Sequence, residues 1–93
     1  MENSVDLAQL IQDSAIILDV RSKSEFAGGH VKGSLNIPVN ALESNLKKLD
    51  KSKPIITCCA SGMRSSTAKS ILGSNGFTNV HNGGSWANVD RYK

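Results

Sequence analysis

A small three-layer α/β fold, with a parallel sheet of four to five strands flanked by helices, is predicted for this chain by two observations. Short strand candidates at residues 15–20, 34–37, 55–58 and 79–81, the first and third of them apolar runs, alternate with stretches whose apolar residues recur at helical spacing. The run at 55–58 also passes through small residues straight into a helical pattern, a strand–loop–helix junction. Strands joined through helices pair in parallel by right-handed crossovers, which puts a functional site at the carboxyl ends of the strands. The 93 residues are enough for one core, so residues 1–93 form a single domain. These candidates account for four strands; a fifth, at an edge, is left open.

In chain order, Ser4 is placed to cap a first helix carrying Leu7, Leu10 and Ile11 on one face. Residues 15–20, with Ile16, Ile17 and Leu18 at their centre, form a continuous apolar run, as a parallel strand buried on both faces requires. It ends in Asp19-Val20-Arg21, with Arg21 placed to pair with Glu25. Ser22-Lys23-Ser24-Glu25 fits a capping box, so a helical turn follows and stops at Gly28-Gly29. Residues 34–37 form a short strand ended by Pro38. Asn40 and Glu43 are placed to cap the next helix, whose Leu42, Leu46 and Leu49 pack inward. Pro54 opens the third strand, and the helix after it runs through Ala68, Ile71 and Leu72 to a stop near Gly76. Residues 79–81 form the last strand, Gly83-Gly84-Ser85 a turn, and Trp86 covers the core beside it.

The third strand carries the chemistry. At its end, backbone N–H groups and the positive end of the following helix converge, an arrangement that favours an anion. A cysteine there is favoured as thiolate, the nucleophilic form. Cys58 and Cys59 compete for the position. Successive strand side chains point to opposite faces, and burial of residues 55–58 leaves Cys59 at the carboxyl edge, with Cys58 a small buried apolar residue. Cys58 lies at Cys-x5-Arg spacing from Arg64, as in cysteine phosphatases, but the glycine usual three residues after the phosphatase cysteine is matched only from Cys59, by Gly62.

Cys59-Ala60-Ser61-Gly62-Met63-Arg64-Ser65 resembles the active-site loop of rhodanese-like sulfurtransferases. Leu18-Asp19-Val20-Arg21, Glu25-Phe26 and the segment from Gly29-His30 to Ile37-Pro38 resemble that family's amino-terminal signature, and Gly76-Phe77, Val80, Gly83-Gly84 and Trp86 its closing segment. The resemblance covers nearly the whole chain, although the chain is short at both ends. It implies a rhodanese-like fold and a thiosulfate sulfurtransferase in which Cys59 carries a persulfide. The backbone of residues 60–64 would surround the persulfide, Arg64 would meet the incoming thiosulfate, and Ser65 would hold the loop geometry. The acceptor it implies is cyanide or a cellular thiol, with glutathione or thioredoxin as candidates, and no cofactor beyond the covalent persulfide is called for. It assigns Asp19 and Arg21 structural work, and His30 the task of tying down its loop. Two rivals stand beside this reading. One is a non-catalytic rhodanese-like binding or regulatory module, against which the intact Cys59 argues. The other is a cysteine phosphatase or arsenate reductase, against which a loop one residue shorter and the lack of an evident acid argue.

Composition limits the rest. Hydrophobic residues at 39% and charged residues at 20% are ordinary for a globular protein, and no apolar run is long enough to span a bilayer. Met1-Glu2-Asn3-Ser4 has neither a basic nor an apolar leader region, and a cytoplasmic location is the expectation. The net charge of +3 owes much to Lys47, Lys48, Lys51 and Lys53, which no aromatic residues interleave. They read as a solvated helix end and turn, not as a nucleic-acid surface. Adjacent cysteines cannot form a disulfide framework, and the separated His30 and His81 offer no metal-ligand spacing.

Overall fold

A computed structural model describes residues 6–93. Four strands form one sheet: β1 (Ile16–Asp19), β2 (Leu35–Asn36), β3 (Ile55–Cys59) and β4 (Val80–Ser85), in the order β2-β1-β3-β4. Every pair is parallel, with Ile16 beside Ile55 and Leu18 beside both Leu35 and Thr57. The helices are α1 (Leu7–Gln12), α2 (Lys23–Ala27), α3 (Met63–Ser74) and α4 (Trp86–Asp90), and a 3-10 segment spans Val39–Lys48.

Two apolar clusters, one on each side of the sheet, make the three layers. Leu18, Ile55 and Cys59 face Leu42 of the 3-10 segment and Ala68 and Leu72 of α3, whereas Ile17, Ile56 and Cys58 face Leu7 of α1 and Val89 of α4. Residues 55–58 are buried, as the apolar run predicts for the centre of a parallel sheet, and the strand carries the burial one residue further, to Cys59, which was expected at the edge. Leu18, Ile55, Ile56, Leu42 and Leu72 are fully excluded from solvent. Burying each such side chain stabilises the fold by roughly 1.5–3 kcal/mol.

Several local expectations hold. The Ser22–Glu25 capping box is complete: the Ser22 hydroxyl accepts the Glu25 N–H and the Glu25 carboxylate accepts the Ser22 N–H. His30 ties down its loop, with Nδ1 2.8 Å from the Phe26 carbonyl and its ring stacked on Phe26. Trp86 is half-buried against the α1/α4 cluster.

Others are corrected. The Ser4 cap lies outside the described residues; α1 is capped by Asp6, whose side chain accepts the Gln9 N–H. Asn40 does not cap the segment after β2, because the chain turns helical directly after Pro38 and Asn40 is already inside it. Pro38 has no side-chain acceptor to offer, and the segment kinks at Asn45, whose Nδ2 donates to the Ala41 carbonyl. Gly83-Gly84 is no chain reversal. β4 continues through both glycines, and the pairing jumps from Thr57–Asn82 to Cys59–Ser85, so Cys58 faces two residues of β4. This is a bulge. Gly84 has φ 81°, and a Cβ on Gly83 would come within 2.5 Å of Val89 Cγ2. The bulge thus needs glycine at the first position for space and at the second for backbone freedom.

Arg21 does not pair with the Glu25 carboxylate. It lies buried along Asp19, with Nη2 2.8 Å from Oδ2 and Nε 3.0 Å from Oδ1, and its remaining donors reach the Gly29 and Glu25 carbonyls. A buried guanidinium needs a buried counter-charge, and Asp19, wholly excluded from solvent, supplies it. The guanidinium also stacks over the Trp86 ring, 4.9 Å from its centroid.

Candidate active site

The site forms where β3 gives way to α3. Gly62 takes the left-handed conformation, φ 105°, and stands at the N-cap of α3 without a side chain to accept the helix's first N–H groups. The sulfur of Cys59 fills that place. Its Sγ accepts the Gly62 N–H at 2.9 Å and the Ser65 N–H, three residues past the cap, at 3.4 Å. In an ordinary helix a serine or aspartate oxygen would take the latter bond. A twelve-residue helix therefore begins on a sulfur atom, and its dipole favours negative charge there.

Burial pushes the Cys59 thiol up, but the N–H groups of Ser65, Gly62 and Ser61 and the Ser65 hydroxyl outweigh it and hold the thiol below its ordinary range. Cys58 shows the opposite balance one residue away. Burial first, and then the Asp19 carboxylate, push it up to about 12, against the pull of Arg21. Two chemically identical side chains thus separate, one shifted toward the thiolate and the other held as thiol.

A second layer of bonds holds the loop. The Ser65 hydroxyl lies 2.9 Å from the Gly62 carbonyl and 2.6 Å from Asn82 Oδ1, and Oδ1 also accepts the Gly84 N–H at 2.9 Å. The Thr57 hydroxyl donates to the Ser65 carbonyl at 3.0 Å. Gly62 lies beside the bulge of β4: a Cβ on it would rest in ordinary van der Waals contact, 3.5 Å from Gly84 Cα.

The predicted loop residues occupy distinct positions. Ala60, Ser61 and Met63 are exposed, Gly62 and Arg64 half-buried, and Ser65 buried. The amides aimed at sulfur are those of Ser61, Gly62 and Ser65, so the set reaches one residue beyond the predicted span of 60–64. Arg64 is gripped by Glu25, Nη1 to Oε1 at 2.7 Å and Nη2 to Oε2 at 3.0 Å. Arg64, and after it the Ser22 N–H, hold the Glu25 carboxyl well below the carboxylate range, at about 2. Beside the loop opens a groove of about 530 Å³, walled by Ser61, Gly62, Met63 and Ser66 on one side and Asn82, Gly84, Ser85 and Asn88 on the other. Among the described residues no three His, Cys, Asp or Glu side chains gather as a metal-binding group.

Sequence reasoning missed Asn82 and the partner of Arg64. A lone asparagine before two glycines carries no motif, and Glu25 announces only its cap. Each finds its partner through the sheet, Asn82 17 residues from Ser65 and Glu25 39 residues from Arg64.

A buried thiol ringed by amides at a helix start can hold an anionic sulfur species and present it as nucleophile or carrier. Residues 4–88 match the Rhodanese-like domain family. The uncharacterized protein YqhL of Bacillus subtilis is 37% identical over 68 residues, 73% of this chain and 54% of its own length. The thiosulfate sulfurtransferase PspE of Escherichia coli is 33% identical over 69 residues, 72% of this chain and 66% of its own length. The chain thus spans little more than half of the first relative and about two thirds of the second. A solved human single-domain sulfurtransferase superposes with a TM-score of 0.70 at 33% identity, covering 82% of this chain and 80% of that one. By this match and by its parallel sheet with a cysteine loop at the carboxyl edge, the chain belongs to the rhodanese-like domain family.

Proposed function

We propose that this domain is a thiosulfate sulfurtransferase with Cys59 as its nucleophile. The observation that carries the reading is the set of amides on Cys59 Sγ, with the Gly62 N–H at 2.9 Å and the Ser65 N–H at 3.4 Å. Relatives named thiosulfate sulfurtransferase support the substrate. In the first half-reaction the Cys59 thiolate attacks the outer sulfur of thiosulfate. A sulfur–sulfur bond to Cys59 forms, the bond within thiosulfate breaks, and sulfite leaves with its electron pair. The charge of the resulting persulfide anion stays within the ring of fixed amide dipoles, which need no reorganisation to receive it. In the second half-reaction a thiophilic acceptor takes the outer sulfur. Cyanide leaves as thiocyanate, a thiolate leaves as its persulfide, and Cys59 returns as thiolate. Glutathione or thioredoxin is the acceptor class proposed for a cell, and neither step calls for a cofactor.

The test is intact-protein mass spectrometry after thiosulfate treatment of wild type, Cys58→Ser and Cys59→Ser. One added sulfur on the first two and none on the third is the expected pattern. Addition to Cys59→Ser would remove the nucleophile assignment, and no addition to any form would remove the sulfurtransferase reading.

A further inference from the structure

Arg64, the loop guanidinium expected to meet an incoming anion, is held by a carboxylate from another helix. Both terminal nitrogens of Arg64 are engaged by the two oxygens of Glu25, at 2.7 and 3.0 Å, on the half-exposed rim of the site. We infer that Glu25 is a specificity-determining residue, a fixed counter-anion whose grip on Arg64 disfavours doubly charged sulfur donors relative to singly charged ones. The inference rests on the sulfurtransferase reading of Cys59.

Three observations carry it. The pair is bidentate, so an oxyanion seeking the same fork of N–H groups must displace or share it. The carboxylate is also anchored apart from Arg64, because Glu25 Oε1 accepts the Ser22 N–H at 3.0 Å and the Ser22 hydroxyl at 3.0 Å. When Arg64 turns to a donor, Glu25 therefore stays where it is and repels the new charge. Finally, the α2 capping box that includes this carboxylate accepts glutamine as readily as glutamate at its third position, so the helix cap alone does not require a charge here.

A matched pair of donors reads this directly. Thiosulfate is a dianion, and methanethiosulfonate is the same skeleton with one oxide replaced by methyl, a monoanion. Each gives its outer sulfur to the Cys59 thiolate: a sulfur–sulfur bond forms on the enzyme and the donor's own breaks. Sulfite leaves from the first and methanesulfinate from the second, each with the bonding pair. Glu25→Gln keeps the cap and removes the charge. The ratio of kcat/KM for thiosulfate to that for methanethiosulfonate should rise roughly fivefold, equivalent to about 1 kcal/mol for one unit of charge at a half-exposed site. Ser22→Ala, which keeps the charge and the backbone N–H bond that anchors it and removes only the hydroxyl's, should leave the ratio at its wild-type value.

A ratio unchanged or lowered in Glu25→Gln, or raised equally in Ser22→Ala, overturns the inference while the sulfurtransferase reading stands. If wild type takes no sulfur from either donor, that reading falls and the inference with it. Should Glu25→Gln fail to fold, Arg64→Ala carries the test, since it leaves the Glu25 charge, still anchored by Ser22, without the guanidinium that offsets it. The ratio then falls roughly fivefold or more. A ratio that does not fall overturns the inference.

Discussion

Cys58 and Cys59 are neighbours at the end of β3 whose side chains leave on opposite faces of the sheet. Cys58 packs with Ile17, Val31 and Val89 under α1 and α4, while Cys59 joins the cluster under α3. The alternation of a strand thus divides two identical thiols between two environments, one apolar and one lined by amides.

The native protein is therefore expected to take up one equivalent of a small alkylating reagent at neutral pH, at Cys59, and the denatured protein two. Cys59 is held below the ordinary thiol range, so its reaction is complete above that lowered value and slows as the pH falls through it. The stabilisation that the thiolate lends the fold follows the same sign: present above the unfolded thiol's pKa, lost as the pH falls through the folded one. Cys58, pushed up to about 12, stays a thiol over this whole range. Peptide mapping of the alkylated protein checks the site, and label at Cys58 would contradict the assignment.

Asn82→Ala removes the acceptor shared by the Ser65 hydroxyl and the Gly84 N–H. The Ser65 hydroxyl keeps the Gly62 carbonyl, but leaving the Gly84 N–H unpaired costs roughly 1–3 kcal/mol and frees the loop that aims the amides at sulfur. The midpoint of the alkylation rate against pH should move upward. An unmoved midpoint would mean that the cradle is held without Asn82.

Arg21→Ala strands the buried Asp19 carboxylate and empties the face of Trp86. Breaking a buried pair in this way destabilises by roughly 3–5 kcal/mol, a large share of what a domain of this size possesses. Denaturant unfolding measures it. A loss below about 1 kcal/mol would place the pair with surface ion pairs in its energetics.

Gly83→Ala sets a methyl 2.5 Å from Val89 Cγ2, 2.8 Å from Ile56 Cγ2 and 3.0 Å from the Thr57 carbonyl. The last of these cannot move without breaking the sheet, so the overpacking costs roughly 1–3 kcal/mol or more. In a domain of this size each kcal/mol lowers Tm by about 4–8 °C, which calorimetry resolves readily. An unchanged Tm would show that the bulge has slack.

Much of this was legible in the order of residues. The buried strands announce themselves because a parallel strand covered on both faces must be apolar throughout, as residues 55–58 are. The Ser22–Glu25 cap is legible because its two partners lie three residues apart, within one helical turn. Cys59 was chosen over Cys58 by alternation along a strand, again a local rule. The expected Asn40 cap failed because the helical segment starts directly after Pro38, two residues earlier, and the glycine turn failed because the pairing of β4 with β3 carries the strand through both glycines.

By itself, then, the sequence determined the alternation of strands and helices and the strand–loop–helix junction that carries the two cysteines. Those properties depend on periodicity and steric rules that act over a few residues. Only the tertiary structure decided which charges pair. Glu25 turns to Arg64 because the sheet brings α2 beside the start of α3, and Arg21 turns to Asp19 because a buried guanidinium must take a buried partner. It also decided that Asn82 and the glycines of β4 support the loop, since contacts between strands far apart in the chain depend on register, which no single segment encodes.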